Sequence, residues 1–544
     1  MALLKLCIAL ITFLALPIAC TKEQIVLEYD QYHALKCQHL GSSLSLPDVT
    51  VNFAQYVPAG TNLTFEQGYG LKWCNFPWQV TGIDMCRVAM YVATSNRSGI
   101  TLEAWLPNED EWEGRFLSTG NGGNSGCIRY PDLAYATGMG FATVGANNGH
   151  NGTGGEAFLN NDDVIEDFAY RSVHTGVVVG KKITEQYYGK AHKKSYYLGC
   201  STGGRQGFKM VQNFPHDFDG VIAGCPALNF PSLQSWSGHF YPNFGNKGDP
   251  TFVPAGALWE LINHEILKQC DGLDGVVDGI IEDTRLCQFR PEALQCPPGN
   301  KHSTLCLTGV QVAAVRTAYT DFYGVDGTLI YPRMQPGSEI LAHQLYYTNG
   351  SFLYSTDWFR YVVYNDSEWD PLGFTIHDAQ VAIDQDPFKI STWEGDLSDF
   401  QKAGGKLIHY SGLMDATITS DKDIWYYDHV SRTMGLDSSS LDHFYRLFRI
   451  SGLSHCVGGD GAHNIGQRLS DVGSAMDPQH NIVLALIDWV EHGRAPDTIT
   501  GTKFIDDKNK AIGVDYERRH CRYPLRNFCF DPKNYKDPNS WKCI

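Results

Sequence analysis

The chain has 544 residues, 43% of them hydrophobic and 12% aromatic, which is enough to bury a large core and excludes a disordered chain. That length suits one big domain with an insertion, or two or three domains. A formal net charge of −17 without any Lys/Arg-rich run sets aside nucleic acid and anionic lipid as partners.

The opening stretch "MALLKLCIALITFLALPIAC" has one early lysine, an apolar run from Leu6 to Ala19 and then polar "TKEQ", the layout of a secretory signal peptide over residues 1–20. The run falls short of the ~20 residues needed to span a membrane, and no second run of about 18 apolar residues occurs. The mature chain is therefore expected to be soluble, secreted and free of the membrane. Five N-x-[ST] sequons, at Asn62, Asn96, Asn151, Asn349 and Asn365, fit passage through a eukaryotic secretory route. Of the 16 cysteines, Cys7 and Cys20 fall in the leader, and the fourteen that remain are expected to form disulfides. C-x2-C spacing is absent, which disfavours zinc.

From Asp84 to Ala146 the runs "RVAMYVAT", "ITLEAWLP", "GRFLSTG" and "GFATVGA" read as short strands separated by turns. Residues Asp163 to Tyr188 carry apolar side chains near helical spacing, and strand-like "KKSYYLG" follows. Next come a helix, "GGRQGFKMVQNFP", ending at Pro215, and a strand, "FDGVIAGCPA". From about Asn229 to Leu397 the chain turns aromatic, Gly-rich and Asp-rich, which reads as an inserted lid domain over 229–396. The strand–helix alternation resumes with "GGKLIHYSGLMDATIT", "DKDIWYYDHVSRTMG", "FYRLFRIS" and "NIVLALIDWVEHG". The predicted fold is α/β, with a discontinuous core over 21–228 and 397–544.

Gly199-Cys200-Ser201-Thr202-Gly203 lies between a predicted strand and a predicted helix, the context of a nucleophile elbow. The same pentapeptide also describes a Gly-rich turn with a capping serine; the flanking elements favour the elbow. A serine hydroxyl needs an adjacent base, and that base needs an orienting carboxylate, in the chain order Ser, Asp or Glu, His. Asp415 follows the predicted strand "KLIHY" and His455 follows "YRLFRI", so both fall on loops at strand ends. Nineteen histidines make position alone a weak guide, but His455 precedes Cys456 just as Ser201 follows Cys200. If those cysteines are bonded, their Cα atoms lie within about 7 Å and the serine and histidine become neighbours. For the developing oxyanion, the backbone of Thr202 supplies one donor, and "STGNGGNSG" nominates Gly122 or Gly123 for the other, with Gly123 preferred.

Within the insertion, "CDGLDGVVDGIIEDTRLC" presents Asp271, Asp274 and Asp278 among glycines, a donor set that suits Ca²⁺ although its spacing is not that of an EF-hand. The aromatics of "STDWFRYVVYNDSEWD" either wall a pocket or pack a lid core.

The segments "DFAYRSVHTG", "GCSTGGRQG", "CDGLDGVVDGIIED", "YSGLMDATI" and "SGLSHCVGGDGA" together resemble the tannase and feruloyl esterase family of secreted ester hydrolases, over nearly the whole mature chain. The resemblance implies an α/β-hydrolase core with a large lid, a serine esterase mechanism through Ser201, His455 and Asp415, and no organic cofactor. It implies a structural calcium in the lid, held by the side chains of Asp271, Asp274 and Asp278 and the backbone carbonyls of Val276 and Ile280. It further implies the bridges Cys200–Cys456, Cys37–Cys86, Cys74–Cys127, Cys270–Cys287, Cys296–Cys306 and Cys521–Cys543, and leaves Cys225 and Cys529 open. The expected substrate is a small phenolic ester or a feruloylated polysaccharide fragment of the plant cell wall, closer to feruloyl esterase B than to a tannase acting on galloyl esters. A non-catalytic hydrolase-fold binding protein is a further alternative. The oligomeric state stays open, a homodimer included.

Overall fold

A computed structural model describes residues 22–65, 74, 78–299, 305–348 and 350–544. The predicted leader and the Asn349 sequon lie outside the described residues.

The centre of the protein is a nine-stranded sheet whose members, in chain order, are β1 (Val49–Val57), β2 (Met85–Ala93), β3 (Gly99–Pro107), β4 (Arg115–Thr119), β5 (Phe141–Ala146), β6 (Lys194–Cys200), β7 (Gly220–Gly224), β8 (Lys406–Gly412) and β9 (Tyr445–Ile450). Their spatial order is β1-β2-β3-β5-β4-β6-β7-β8-β9. The first three strands and β5 pair antiparallel, and β5 through β9 form a parallel block. Parallel strands must be covered on both faces. Accordingly β5, β7 and β9 are buried at every residue, whereas edge strand β1 is mostly part-exposed.

Helices α1 (Lys22–Ser43), α2 (Tyr130–Gly138), α3 (Ser172–Tyr188) and α4 (Thr202–Asn213) precede the insertion. One face of the sheet packs against α3 and α4 through Val177, Ile183, Phe208 and Tyr197. The other packs against α2 and the late helix α10 (Ile482–His492) through Tyr135, Leu198, Ile408 and Leu486. Gly493, left-handed at φ 73°, ends α10 where the sequence places its stop.

The predicted helix before β6 is interrupted by a π turn, Asp167–Arg171, between Asp162–Glu166 and α3. Carbonyls of this turn accept from the fully buried Arg205 on α4: Nη1 donates to Ala169 O at 2.8 Å and Nη2 to Phe168 O at 2.9 Å. The irregularity thus anchors the helix that carries the elbow.

After β7 the chain leaves the sheet and returns only at β8. The excursion is mainly helical, with α5 (Phe230–Phe244), α6 (Ala257–Cys270), α7 (Gly309–Ala318) and α8 (Ile376–Gln385). The sequence shows no strand–helix alternation here because the segment is mainly helical, and its helices pack around Trp236, Trp259, Trp358 and Phe359, so apolar residues fall on several faces and blur the 3.6-residue period. Those tryptophans share one cluster with Phe158, Phe168, Ala227, Ala416 and Ile418 of the sheet-bearing part, so the insertion is fused to it. Trp358 and Phe359 lie in that core, not on a pocket wall. Helix α9 (Ser420–Met434) follows β8, a hairpin of β10 (Thr498–Phe504) with β11 (Val514–Cys521) follows α10, and Asn527–Cys529 pairs with Trp541–Cys543 near the end of the chain.

Candidate active site

The parallel register sets the site. Cys200 at the end of β6 lies opposite Gly224 of β7, and Gly224 lies opposite Tyr410 of β8. The loops leaving these carboxyl ends, and that leaving β9, therefore emerge side by side, where open α/β sheets hold their ligands.

Ser201 sits between β6 and α4 at φ 65° and ψ −124°, a conformation rare for a residue with a side chain. Its amide donates to Gly224 O at 2.9 Å, and its carbonyl accepts from Ala227 at 3.0 Å and Arg205 at 3.0 Å, which fixes the turn from both sides. The flanking glycines are required by contact: a Cβ on Gly199 would stand 2.5 Å from Gly203 O, and one on Gly203 would stand 2.9 Å from Asn121 O.

Asp415 is buried just past β8. Its Oδ1 accepts from the amides of Thr417 at 2.7 Å and Ile418 at 2.9 Å, and its Oδ2 lies 2.7 Å from His455 Nδ1. Both carboxylate oxygens are engaged, so the imidazole is held at Nδ1 and left with Nε2 for chemistry. The bond Cys200–Cys456, with Cα atoms 6.0 Å apart, ties the elbow to the His455 loop across 256 residues of sequence. Among the described residues no hydrogen bond joins Ser201 Oγ to His455; such contacts commonly tighten when substrate arrives.

Cys225, which sequence reasoning left open, is a free and fully buried thiol at the end of β7. Its sulfur lies within 4.8 Å of both bridge sulfurs, and also within 4.8 Å of the donor atoms of Asp415 and His455. Burial pushes this thiol well above its ordinary range, so it sits beneath the site as a neutral, apolar floor. Cys529 is likewise free and buried.

The loop after β4 lies against the elbow. Gly203 N donates to Asn121 O at 2.9 Å, Thr202 Oγ1 donates to Gly123 O at 2.7 Å, and Asn121 Nδ2 donates to Cys127 O at 3.0 Å and Ala146 O at 2.8 Å. Gly123 adopts φ 57°, and a Cβ there would stand 2.5 Å from the Tyr354 ring, so a lid residue packs directly on this turn. The backbone amides of Thr202 and Gly123 donate to no protein acceptor among the described residues.

These groups border a cavity of about 570 Å³, the size of a small-molecule site. The insertion contributes Phe230, Leu233, Gln234 and Ser237 from α5 together with Leu345, Phe352, Leu353 and Tyr354. Loops of the sheet-bearing part contribute Ser125, Arg129, Thr153, Thr417, Ile418 and Arg468. Sequence reasoning did not find the α5 face or Tyr354, because ordinary lid packing produces the same aromatic pattern.

Among the described residues six disulfides join Cys37–Cys86, Cys74–Cys127, Cys200–Cys456, Cys270–Cys287, Cys296–Cys306 and Cys521–Cys543. In the loop closed by Cys270–Cys287, Asp271 accepts from the amides of Asp278 at 3.2 Å and Gly279 at 2.9 Å, and Asp278 from that of Ile280 at 3.1 Å. Asp274 Oδ1 accepts from Val276 N at 3.0 Å, but its buried Oδ2 has no partner. Burial pushes Asp274 up to about 7 and also raises Asp271 and Glu282. One guanidinium, Arg518, pairs with Asp278 and Glu282 and leaves the acidic cluster under-compensated. The orphaned oxygen and the hard-oxygen donor set fit a divalent cation such as calcium. Among the described residues the carboxylates of Asp271, Asp274 and Asp278 do not converge closely enough to hold an ion by themselves, so such an ion would draw on backbone carbonyls such as those of Val276 and Ile280. Of the sequons described, Asn62, Asn96, Asn151 and Asn365 are all exposed.

Fold and site together define an ester hydrolase of the α/β-hydrolase class. The model of the family described as "Tannase and feruloyl esterase" matches residues 86–544. A probable feruloyl esterase B-2 of Neosartorya fischeri is 52% identical over 531 residues, covering 97% of this chain and 99% of that protein. The crystal structure of feruloyl esterase B from Aspergillus oryzae superposes with a TM-score of 0.90 at 48% identity, covering 94% of this chain and all of that one. Tannin acyl hydrolase from Aspergillus niger shares the fold, with a TM-score of 0.74 at 23% identity, covering 94% and 95% of the two chains. The chain belongs to the tannase and feruloyl esterase family.

Proposed function

We propose that this protein hydrolyses esters of hydroxycinnamic acids through an acyl-enzyme on Ser201. The observation that carries the reading is that Ser201 and His455 line one cavity, with His455 hydrogen-bonded at 2.7 Å to the buried Asp415 behind it and tied to the elbow by Cys200–Cys456. His455 takes the Ser201 proton as the hydroxyl attacks the ester carbon, then delivers it to the leaving alcohol. Asp415 holds the imidazole in the required tautomer and offsets its charge. The amides of Thr202 and Gly123 receive the oxyanion. Water, deprotonated by His455, then releases the acid.

The preference for hydroxycinnamoyl over galloyl esters is supported by 48% identity to a feruloyl esterase B structure against 23% to a tannin acyl hydrolase. Calcium in the Cys270–Cys287 loop, held by Asp271, Asp274, Asp278 and the carbonyls of Val276 and Ile280, would neutralise buried carboxylates and take no part in the ester chemistry. A secreted location is supported by the leader-like start and six disulfides, and no described helix is long and apolar enough to cross a membrane.

The test is Ser201→Ala assayed on methyl ferulate, methyl p-coumarate and methyl gallate beside wild type. Loss of all hydrolysis, with wild type faster on ferulate than on gallate, supports the reading. A mutant that retains turnover removes Ser201 as nucleophile, and a gallate preference replaces the substrate class.

A further inference from the structure

We infer that Gln234 is the specificity-determining residue that reads the ring hydroxyl of the acyl group; this rests on the hydroxycinnamoyl reading above. Gln234 is 4% exposed, lines the cavity, and makes no side-chain hydrogen bond among the described residues, its Oε1 being enclosed without a partner there. A buried amide left unpaired costs stability that an apolar side chain would not, so its retention in a ligand cavity points to a ligand as the missing partner.

Position agrees with that role. Helix α5 begins beside the elbow, where Ala227 N donates to Ser201 O at 3.0 Å. Phe230, Gln234 and Ser237 all line the cavity from one helix face, and a rise of 1.5 Å per residue carries Gln234 roughly 6 Å beyond Phe230 along the axis. In a hydroxycinnamate the propenoyl arm and the ring separate the ester carbon from the hydroxyl, so the hydroxyl must be met away from Ser201. The surrounding Leu233, Leu345 and Phe352 offer only apolar surface to the ring.

The chemistry is complementary. A half-turn of the terminal amide exchanges its two ends, so the end that meets the ligand either accepts from a phenolic O–H as Oε1 or donates to the phenolic or methoxy oxygen as Nε2. It is neutral, so the phenol is bound in its neutral form, and in an enclosed site the bond discriminates strongly against a ring lacking the hydroxyl.

The experiment measures kcat/KM of wild type, Gln234→Leu and Gln234→Met on methyl p-coumarate, methyl ferulate and methyl cinnamate. Wild type is expected to prefer the hydroxylated esters over cinnamate by about tenfold, and both variants to lose most of that preference while cinnamate turnover changes less than about twofold. A preference preserved in the variants, or absent from wild type, overturns the assignment of Gln234 alone. If wild type cleaves 4-nitrophenyl acetate but none of the three methyl esters, the hydroxycinnamoyl reading falls and takes this inference with it. Should the leucine variant not fold, the methionine variant and the wild-type ratios still decide.

Discussion

His455 Nδ1 and Asp415 Oδ2 stand 2.7 Å apart although 40 residues separate them, because β8 and β9 are parallel neighbours whose carboxyl-end loops meet. Asp415→Asn keeps the size but offers Nδ1 a donor, which turns the imidazole to the wrong tautomer. The expected result is a fall in kcat on methyl ferulate of about 10⁴-fold with unchanged thermal stability to within ~1 kcal/mol. A fall below about tenfold would detach Asp415 from the reaction.

Cys200 and Cys456 brace the nucleophile turn against the base loop. In Cys200→Ala/Cys456→Ala, β6 and β9 still end on the same side of the sheet with β7 and β8 between them, but nothing holds the two loops at a fixed separation. A displacement of about 1 Å at the base lowers kcat by ~10²-fold, and loss of the cross-link removes about 2–5 kcal/mol of stability. Full activity in the double variant would reduce the bridge to a structural tie.

The Cys270–Cys287 loop buries Asp271, Asp274 and Glu282 with incomplete compensation. If calcium neutralises them, chelation destabilises the folded enzyme by about 2.7 kcal/mol relative to calcium at one hundred times its Kd. Differential scanning calorimetry with and without chelator checks this. The lost Tm returns with calcium, and Asp274→Asn no longer responds; a Tm indifferent to chelator removes the metal.

Asp357 is buried against Gly155, whose amide it accepts at 2.8 Å, and burial raises it to about 6. A folded value above the unfolded one of about 3.9 means that its contribution to stability is complete below pH ~4 and is lost as pH rises toward about 6. Asp357→Asn keeps the acceptor without the charge. It is expected to be more stable than wild type by on the order of 2–3 kcal/mol at pH 7.5 and about equal to it at pH 4. Urea midpoints at the two pH values measure this, and a variant no better at pH 7.5 refutes it.

What could be read in the sequence was what local pattern encodes. The elbow was legible because Gly199, Ser201 and Gly203 answer a single backbone constraint between a strand and a helix. Asp415 was nominated by its place after a short apolar strand, and His455 by that place together with the cysteine beside it, which mirrors the cysteine beside Ser201. The π turn at Asp167–Arg171 was not legible, since a π and an α turn share the same apolar spacing over five residues. Nor was α5 as a cavity wall: Leu233 and Gln234 look in sequence like any helix face, and only tertiary packing reveals that the amide has no partner. Cys225 carried no local signal, because its meeting with Asp415 and His455 depends on the order of β7, β8 and β9 in the sheet.

Labelling of the intact enzyme with a fluorophosphonate, followed by peptide mass mapping, tests most directly whether Ser201 is the nucleophile placed beside His455. One adduct per chain is expected, on the peptide containing Cys200 and Ser201, with activity lost in proportion to labelling and no adduct in Ser201→Ala. An adduct on another residue, or full hydrolysis of methyl ferulate by enzyme labelled at Ser201, would contradict it.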